Sequence, residues 1–224
     1  MEQEAQKINF SFLDNIQIVN DEEVRELERQ ERERAKAEKK SLLEDNYKKI
    51  APARYLYESL ETYKAGPANE RAYNWILGFC EAVEKKENTK NLIYLNGKSG
   101  VGKTHLALGI IRRLGGEIIT SLELCITYDS CRDFSSSMTR IQFLKKLCGQ
   151  KVLVIDEVGK GIEKLEKEIL PYIINEFYND SSKILLFTGN EKNEDFKKLI
   201  GESSADRFRG NGLYISLIGE SYRK

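Results

Sequence analysis

The sequence is poor in cysteine and histidine, and the few that it has are not spaced as metal ligands. Its four cysteines are Cys80, Cys125, Cys131 and Cys148, no two of which form a CxxC pair, and His105 is the only histidine. Because zinc sites take their ligands from closely spaced cysteines and histidines, this spacing argues against a zinc site. Reduced and mostly buried thiols, as in cytosolic proteins, are expected instead.

The sequence also lacks a long apolar run and an excess of charge of either sign. No stretch approaches the ~20 apolar residues that a membrane span needs, and the N-terminal MEQEAQKINF is too acidic and polar for a secretory signal. The 36 basic residues balance 36 acidic ones, so net charge gives no case for nucleic-acid binding, although a local basic patch is compatible with it. We therefore expect a cytoplasmic protein without a membrane partner.

The first 50 residues differ in composition from the rest of the chain. Residues 21–40 interleave acids and bases at spacings that support a helix, but their apolar stripe is thin. This pattern fits either a solvated charged helix or an arm that docks on a partner. Pro52 disfavours helix at the residue before it. The sequence thus predicts a helical N-terminal arm over 1–50 and a globular domain over 51–224.

The globular part alternates strand and helix patterns. Strands are expected over 91–96, 117–120, 151–155, 183–187 and 213–217. Helices are expected over 68–83, 104–114, 122–128, 139–147 and 163–178. Apolar strands separated by helices are typical of a parallel sheet covered on both faces, so we predict an α/β fold with a five-stranded parallel sheet.

A phosphate-binding motif follows the first of these strands. The pattern GxxxxGK[ST] is met by Gly97, Lys98, Ser99, Gly100, Val101, Gly102, Lys103 and Thr104. Its glycines let backbone N–H groups turn inward around phosphate oxygens, and the following helix presents its positive end to the same anion. Lys103 can reach the β- and γ-phosphates, and the Thr104 hydroxyl can hold Mg²⁺. The motif predicts that the protein binds ATP with Mg²⁺.

Polar residues at the ends of two later strands extend this prediction. Asp156 and Glu157 end an apolar strand, and Asn190 follows the next one. Asp156 can hold the magnesium through water, and Glu157 can polarise an attacking water as a general base. Asn190 could orient the same water or belong to a Gly-Asn turn. Near the C-terminus, Arg207 and Arg223 are candidates for stabilising transferred phosphate, the alternative being surface salt bridges.

The ordered segments GKSGVGKTH, VLVIDEVG, TGN, ADRFRGN and GESYR resemble the bacterial replicative helicase loaders of the DnaC/DnaI type, in the IstB-like ATP-binding superfamily. The resemblance covers about residues 52–224 and is nearest to the DnaC pattern. It implies an AAA+ ATPase core without a C-terminal helical lid. The 17 residues that follow Arg207 are too few for such a lid.

The resemblance also implies roles for residues. Nucleotide and metal would be bound by Lys103, Thr104 and Asp156, with Glu157 as the catalytic acid and Asn190 as the polar sensor. Two arginines complete this set: Arg207 matches the arginine finger that acts in trans on a neighbouring subunit's site, and Arg223 matches a terminal sensor-like arginine.

The partners implied are a replicative DNA helicase, bound by the arm at 1–50, and single-stranded DNA. Stacking and phosphate contacts to DNA could come from Tyr128, Arg132, Phe134 and Arg140. The function implied is a helicase loader that hydrolyses ATP to release its partners. Two alternatives stay open: an IstB-like transposition helper ATPase, and a small-molecule P-loop kinase.

Overall fold

The computed structural model of the protein describes residues 21–87, 89–132 and 137–222. Its helices are α1 (Asp21–Ile50), α2 (Glu70–Glu84), α3 (Lys103–Leu114), α4 (Ser121–Ser130), α5 (Arg140–Cys148), α6 (Glu163–Tyr178), α7 (Asn193–Ile200) and α8 (Glu202–Asn211), with a short 3₁₀ helix at Ala53–Tyr55. Its strands are β1 (Leu92–Gly97), β2 (Glu117–Thr120), β3 (Val152–Val158), β4 (Ile184–Gly189) and β5 (Gly212–Leu217). No helix among these residues is long and apolar enough to cross a membrane.

Contacts within the chain divide it into two units, one ending at Leu42 and the other beginning at Leu43. The described part of the first unit, from Asp21 onward, is helical, and its side chains are exposed. Opposite charges along it form ion pairs, such as Arg34 Nε to Glu38 Oε1 at 3.0 Å. Exposed pairs of this kind contribute little stability each, so this surface is a solvated band of mixed charge.

The last turns of α1 belong to the second unit. Tyr47 is 1% exposed, and its hydroxyl donates to the backbone oxygen of Tyr55 at 2.6 Å. Glu44 accepts two hydrogen bonds from the Arg112 guanidinium, each 2.8 Å long. The predicted arm at 1–50 therefore includes residues from Leu43 onward that pack in the second unit.

The second unit is built on a five-stranded sheet of order β2-β3-β4-β1-β5, in which every pair is parallel. The predicted α/β fold is thus confirmed. Side chains alternate between the two faces along each strand. Leu92 and Tyr94 of β1 join a core with α4 to α8, whereas Ile93 and Leu95 join a core with α2 and α3. Both faces are covered, which is why the central strands are apolar throughout.

Two helices, α7 and α8, are found where the sequence predicts none. Phe196 of α7 is fully buried, with its ring stacked on that of Tyr94 at 4.0 Å between centroids. Phe208 of α8 is 1% exposed and meets the Phe196 ring edge to face at 5.4 Å. These contacts hold the two helices against the sheet.

Candidate functional site

The P-loop joins the end of β1 to the first turn of α3. Gly100 and Gly102 have φ angles of +84° and +93°, a left-handed backbone that glycine adopts without the penalty of a side chain. A Cβ at Gly102 would also lie 2.5 Å from the Tyr63 ring. Gly102 caps α3 without any side-chain hydrogen bond, which leaves the first backbone N–H groups of the helix available to an anion.

The Lys103 side chain is drawn back over this loop. It is 9% exposed, and its ammonium donates to the backbone oxygens of Gly97 at 2.7 Å and Lys98 at 2.9 Å. It also donates to Asn190 Oδ1, at the end of β4, at 2.8 Å. The structure thus places Asn190 beside the P-loop lysine, at a point where phosphate oxygens could replace these acceptors.

Asp156 lies in β3 beside the first turn of α3 and is 6% exposed. The Thr104 hydroxyl donates to its carboxylate, with O–O distances of 3.1 and 3.2 Å. The Thr188 hydroxyl, near the end of β4, donates to the same carboxylate. Burial raises the pKa of Asp156, and the hydrogen bonds from Thr188 and Thr104 oppose that rise.

The donor set at this point suits a magnesium ion. Thr104 and Asp156 offer hydroxyl and carboxylate oxygens, the ligands that Mg²⁺ prefers. Within the described residues, no group of three or more histidine, cysteine, aspartate or glutamate side chains could form a metal cage. An ion held here would therefore take the rest of its ligands from phosphate and water, as is usual for Mg²⁺ in nucleotide sites.

Glu157 follows directly and has an unusual backbone, with φ at +59°. A left-handed backbone costs a residue other than glycine about 1–3 kcal/mol, and such strain clusters at functional sites. Its N–H donates to Thr188 Oγ1 at 3.1 Å. Its carboxylate is nearly half exposed and lies 3.1 Å from Lys160 Nζ.

A cleft of about 360 Å³ runs along these groups. The P-loop and strand-end residues on its wall are Ser99, Gly100, Gly102, Lys103, Thr104, His105, Glu157, Thr188, Gly189 and Asn190. The other residues that line it are Tyr55, Glu58, Thr62, Tyr63, Lys64 and Tyr222. The Nε2 atom of His105, in the first turn of α3, lies 2.7 Å from the Ser59 backbone oxygen.

Of the two predicted arginines, only Arg207 lies within the described residues, and it does not line this cleft. Arg207 lies on α8, where its Nη1 donates to Ser203 Oγ at 2.7 Å and its guanidinium stands 5.7 Å from the centre of the Tyr178 ring. Among the described residues that line the cleft, Arg207 does not appear. Arg223 lies outside the described residues.

Thr188 is a site residue that was not predicted from the sequence. In the strand-end segment TGN a role was expected only of Asn190, whereas the Thr188 hydroxyl bonds to both Asp156 and Glu157. The feature of the sequence that could have indicated Thr188 is its position as a polar residue near the end of the apolar strand β4, which pairs with β3.

The expected stacking of DNA on Tyr128 does not fit the structure. Tyr128 is 7% exposed, and its hydroxyl donates to Glu168 at 2.6 Å. The Arg140 guanidinium lies over the Tyr128 ring at 4.3 Å and donates to Asp129 at 2.7 Å. Both side chains are therefore engaged within the fold. Phe134 lies outside the described residues.

Comparison with known proteins gives relatives that include a helicase loader and a protein of an insertion sequence. A replicative helicase loader DnaC of Buchnera aphidicola is 33% identical over 147 residues, which cover 62% of this chain and 58% of that protein. An ATP-binding protein of an insertion sequence from Bacillus thuringiensis is 29% identical over 148 residues, 61% of this chain and 57% of that protein. The chain thus matches less than two thirds of the length of either relative.

Solved structures share the fold. A crystal structure of the DnaC helicase loader superimposes with a TM-score of 0.62 at 24% identity, covering 75% of this chain and all of that one. The replication initiator DnaA bound to AMPPCP and single-stranded DNA gives a TM-score of 0.59 at 20% identity, covering 75% and 51%. The family model described as the bacterial DnaA ATPase domain matches residues 53–214. The chain therefore belongs to the bacterial DnaA ATPase domain family and is similar to replicative helicase loaders of the DnaC type.

Proposed function

We propose that this protein is an ATP-dependent loader of a replicative DNA helicase. The observation that carries the proposal is the convergence of Lys103, Asn190 and the Thr104–Asp156 pair around one cleft. Together they form a nucleotide site with the residues for hydrolysis beside it. The similarity to loaders named DnaC then supports loading as the purpose of that hydrolysis.

In this proposal the phosphates of ATP lie in the P-loop. The Lys103 ammonium then donates to phosphate oxygens in place of the two backbone oxygens and the Asn190 side chain. Thr104 and Asp156 would hold Mg²⁺, which neutralises charge on the phosphates. Glu157 polarises the attacking water as a general base, and Asn190 orients that water.

The base of the nucleotide would lie against the aromatic side of the cleft. Tyr55, Tyr63 and Tyr222 line the cleft, and the Tyr63 hydroxyl donates to the Val101 backbone oxygen at 3.3 Å. Aromatic rings can stack on the flat base of a nucleotide without hydrogen bonds to it. Through Tyr63, in the segment before the P-loop, binding of the base would thus be coupled to the position of the loop.

Hydrolysis is proposed to need a second copy of the chain. Arg207 is half-buried on α8, away from its own cleft, which fits an arginine that completes the site of a neighbour. A delocalised guanidinium suits the charge that develops on the transferred phosphoryl group. Arg223 is proposed to sense the nucleotide from the C-terminal end.

The partners proposed are a replicative helicase, bound by the charged N-terminal arm at 1–50, and single-stranded DNA. The exposed mixed charges of α1 from Asp21 to Leu42 offer a surface for ion pairs with a partner. A second candidate, an IstB-like transposition helper, is favoured by the similarity to the insertion-sequence protein. The kinase alternative draws no support from the DnaA ATPase domain family.

A capture experiment with the full chain distinguishes these candidates. The protein would be immobilised with ATP and single-stranded DNA and offered a purified replicative helicase or a transposase. Retention of the helicase, lost when residues 1–42 are deleted, is the result expected of a loader. Retention of the transposase alone would overturn loading in favour of the transposition helper.

A further inference from the structure

A buried carboxylate outside the cleft holds the loop that follows Glu157. Glu166 lies in the first turn of α6 and is only 1% exposed. It does not line the cleft, and none of the sequence motifs includes it. Glutamate is almost never fully buried unless it has partners, so its contacts need an explanation.

Three hydrogen-bond donors point at one oxygen of this carboxylate. The backbone N–H groups of Gly159 and Gly161 donate to Glu166 Oε1 at 2.9 and 3.4 Å. The Ser121 hydroxyl, at the start of α4, donates to the same atom. Glu166 therefore ties the loop after β3 to two helices at once.

The backbone of the loop requires glycine at two positions. Gly159 has a φ of +87°, a backbone that other residues seldom adopt. A Cβ at Gly161 would lie 3.0 Å from the carboxylate carbon of Glu166 and 2.9 Å from Ser121 Oγ. Only a residue without a side chain lets the backbone approach the carboxylate this closely.

The same loop fixes the backbone of Glu157. The Glu157 carbonyl accepts a hydrogen bond from the Lys160 N–H at 3.1 Å, and its own N–H is bonded to Thr188. Because its φ of +59° is unfavourable for glutamate, external restraints must keep it there. If the amides of Gly159 and Gly161 lost their acceptor, the loop could relax and Glu157 could return to an ordinary backbone.

Resting on the proposed hydrolysis of ATP, we propose that Glu166 is a positioning residue for Glu157. It anchors the 157–161 loop so that the Glu157 carboxylate stays at the cleft. Lys103, Thr104 and Asp156 are held by other contacts. Loss of Glu166 should therefore impair turnover and leave ATP affinity almost unchanged.

The test compares three variants of the full chain, measuring kcat at saturating ATP and the Kd for ATP by titration. Glu166→Ala is expected to lower kcat by about 10- to 100-fold with Kd within about twofold, as for a catalytic group displaced by about 1 Å. Glu166→Gln keeps an acceptor oxygen and is expected to restore most of the turnover. Glu163→Ala is the matched control, since this carboxylate on the same helix is 75% exposed and should leave kcat unchanged.

Two further measurements separate positioning from a general loss of structure. In a Glu157→Gln background, Glu166→Ala is expected to cause no additional loss of turnover. Hydrogen exchange of the Gly159 and Gly161 amides is expected to accelerate in Glu166→Ala. Unchanged kcat in a folded Glu166→Ala protein, or an equal further loss in the Glu157→Gln background, would overturn the proposal.

If Glu166→Ala does not fold, Glu166→Asp provides the decision, because the shorter side chain keeps the charge but withdraws its oxygen from the Gly159 and Gly161 amides. Lower kcat at unchanged Kd is then expected, and wild-type kcat would overturn the proposal. A wild-type protein that hydrolyses no ATP would instead refute the proposed function. Amide exchange would still decide whether Glu166 anchors the loop.

Discussion

The Asp156 carboxylate is buried, and the groups that donate hydrogen bonds to it are uncharged. It is 6% exposed, and the groups that donate to it are the hydroxyls of Thr104 and Thr188. Burial disfavours the ionised carboxylate, which is why the pKa of Asp156 is raised. Such a residue is costly for the fold and useful for binding a cation, a conflict that is common at functional sites.

Replacement of this residue should make the nucleotide-free protein more stable. The pKa of Asp156 is raised in the folded state, so its protonation stabilises the fold below the ordinary value of 3.8, and that contribution is lost as pH rises through the raised pKa. Near neutral pH, Asp156→Asn should therefore increase the free energy of unfolding, measured in urea, while it weakens ATP binding in Mg²⁺. Asp195→Asn, at the surface beside Lys198, is the control. A less stable Asp156→Asn protein would contradict this account.

At the scale of helices and strands, the sequence predicted the elements whose apolar pattern is strong. The five strands lie within a few residues of their predicted positions, and α6 spans the predicted residues 163–178. α7 and α8 escaped prediction because their sequences are mostly polar. Their stability comes from a few aromatic residues, such as Phe196 and Phe208, that contact the sheet only in the folded chain.

The residues of the site likewise divide into those that the sequence could predict and those that it could not. The P-loop, Asp156 and Glu157 could be found because their spacing after strands has a mechanism. Thr188 and Glu166 could not, because their importance depends on which strands are neighbours and on how α4 meets the loop after β3. The backbone strain at Glu157 is likewise invisible in the sequence.

The packing of α7 provides a test at this scale. Phe196→Ala removes a fully buried ring that stacks on Tyr94 and contacts Phe208. The free energy of unfolding should fall by about 3–5 kcal/mol, as for other buried aromatics cut back to alanine. Denaturant unfolding measures the loss, with Lys197→Ala on the same helix as the control. A loss below about 1 kcal/mol, typical of surface positions, would mean that α7 does not depend on this contact.

At the scale of the whole molecule, the resemblance to loaders of the DnaC type is confirmed by the relatives that match. The assembly of several copies remains a proposal that Arg207 can test. Arg207→Ala should keep ATP binding but lose hydrolysis that rises with protein concentration or with single-stranded DNA. Arg209→Ala is the matched control, since this neighbour on α8 is 77% exposed and paired with Asp206. Unchanged stimulated turnover in Arg207→Ala would contradict a role in trans.

We propose that one cleft binds ATP and hydrolyses it with separate groups. The most direct test of this proposal measures ATP affinity and ATP turnover in the same preparations of wild type, Glu157→Gln and Lys103→Ala. We expect Glu157→Gln to bind ATP as wild type does and to lose turnover by about 100-fold or more, and Lys103→Ala to lose tight binding. A Glu157→Gln protein with wild-type turnover, or a Lys103→Ala protein with wild-type affinity, would contradict the account.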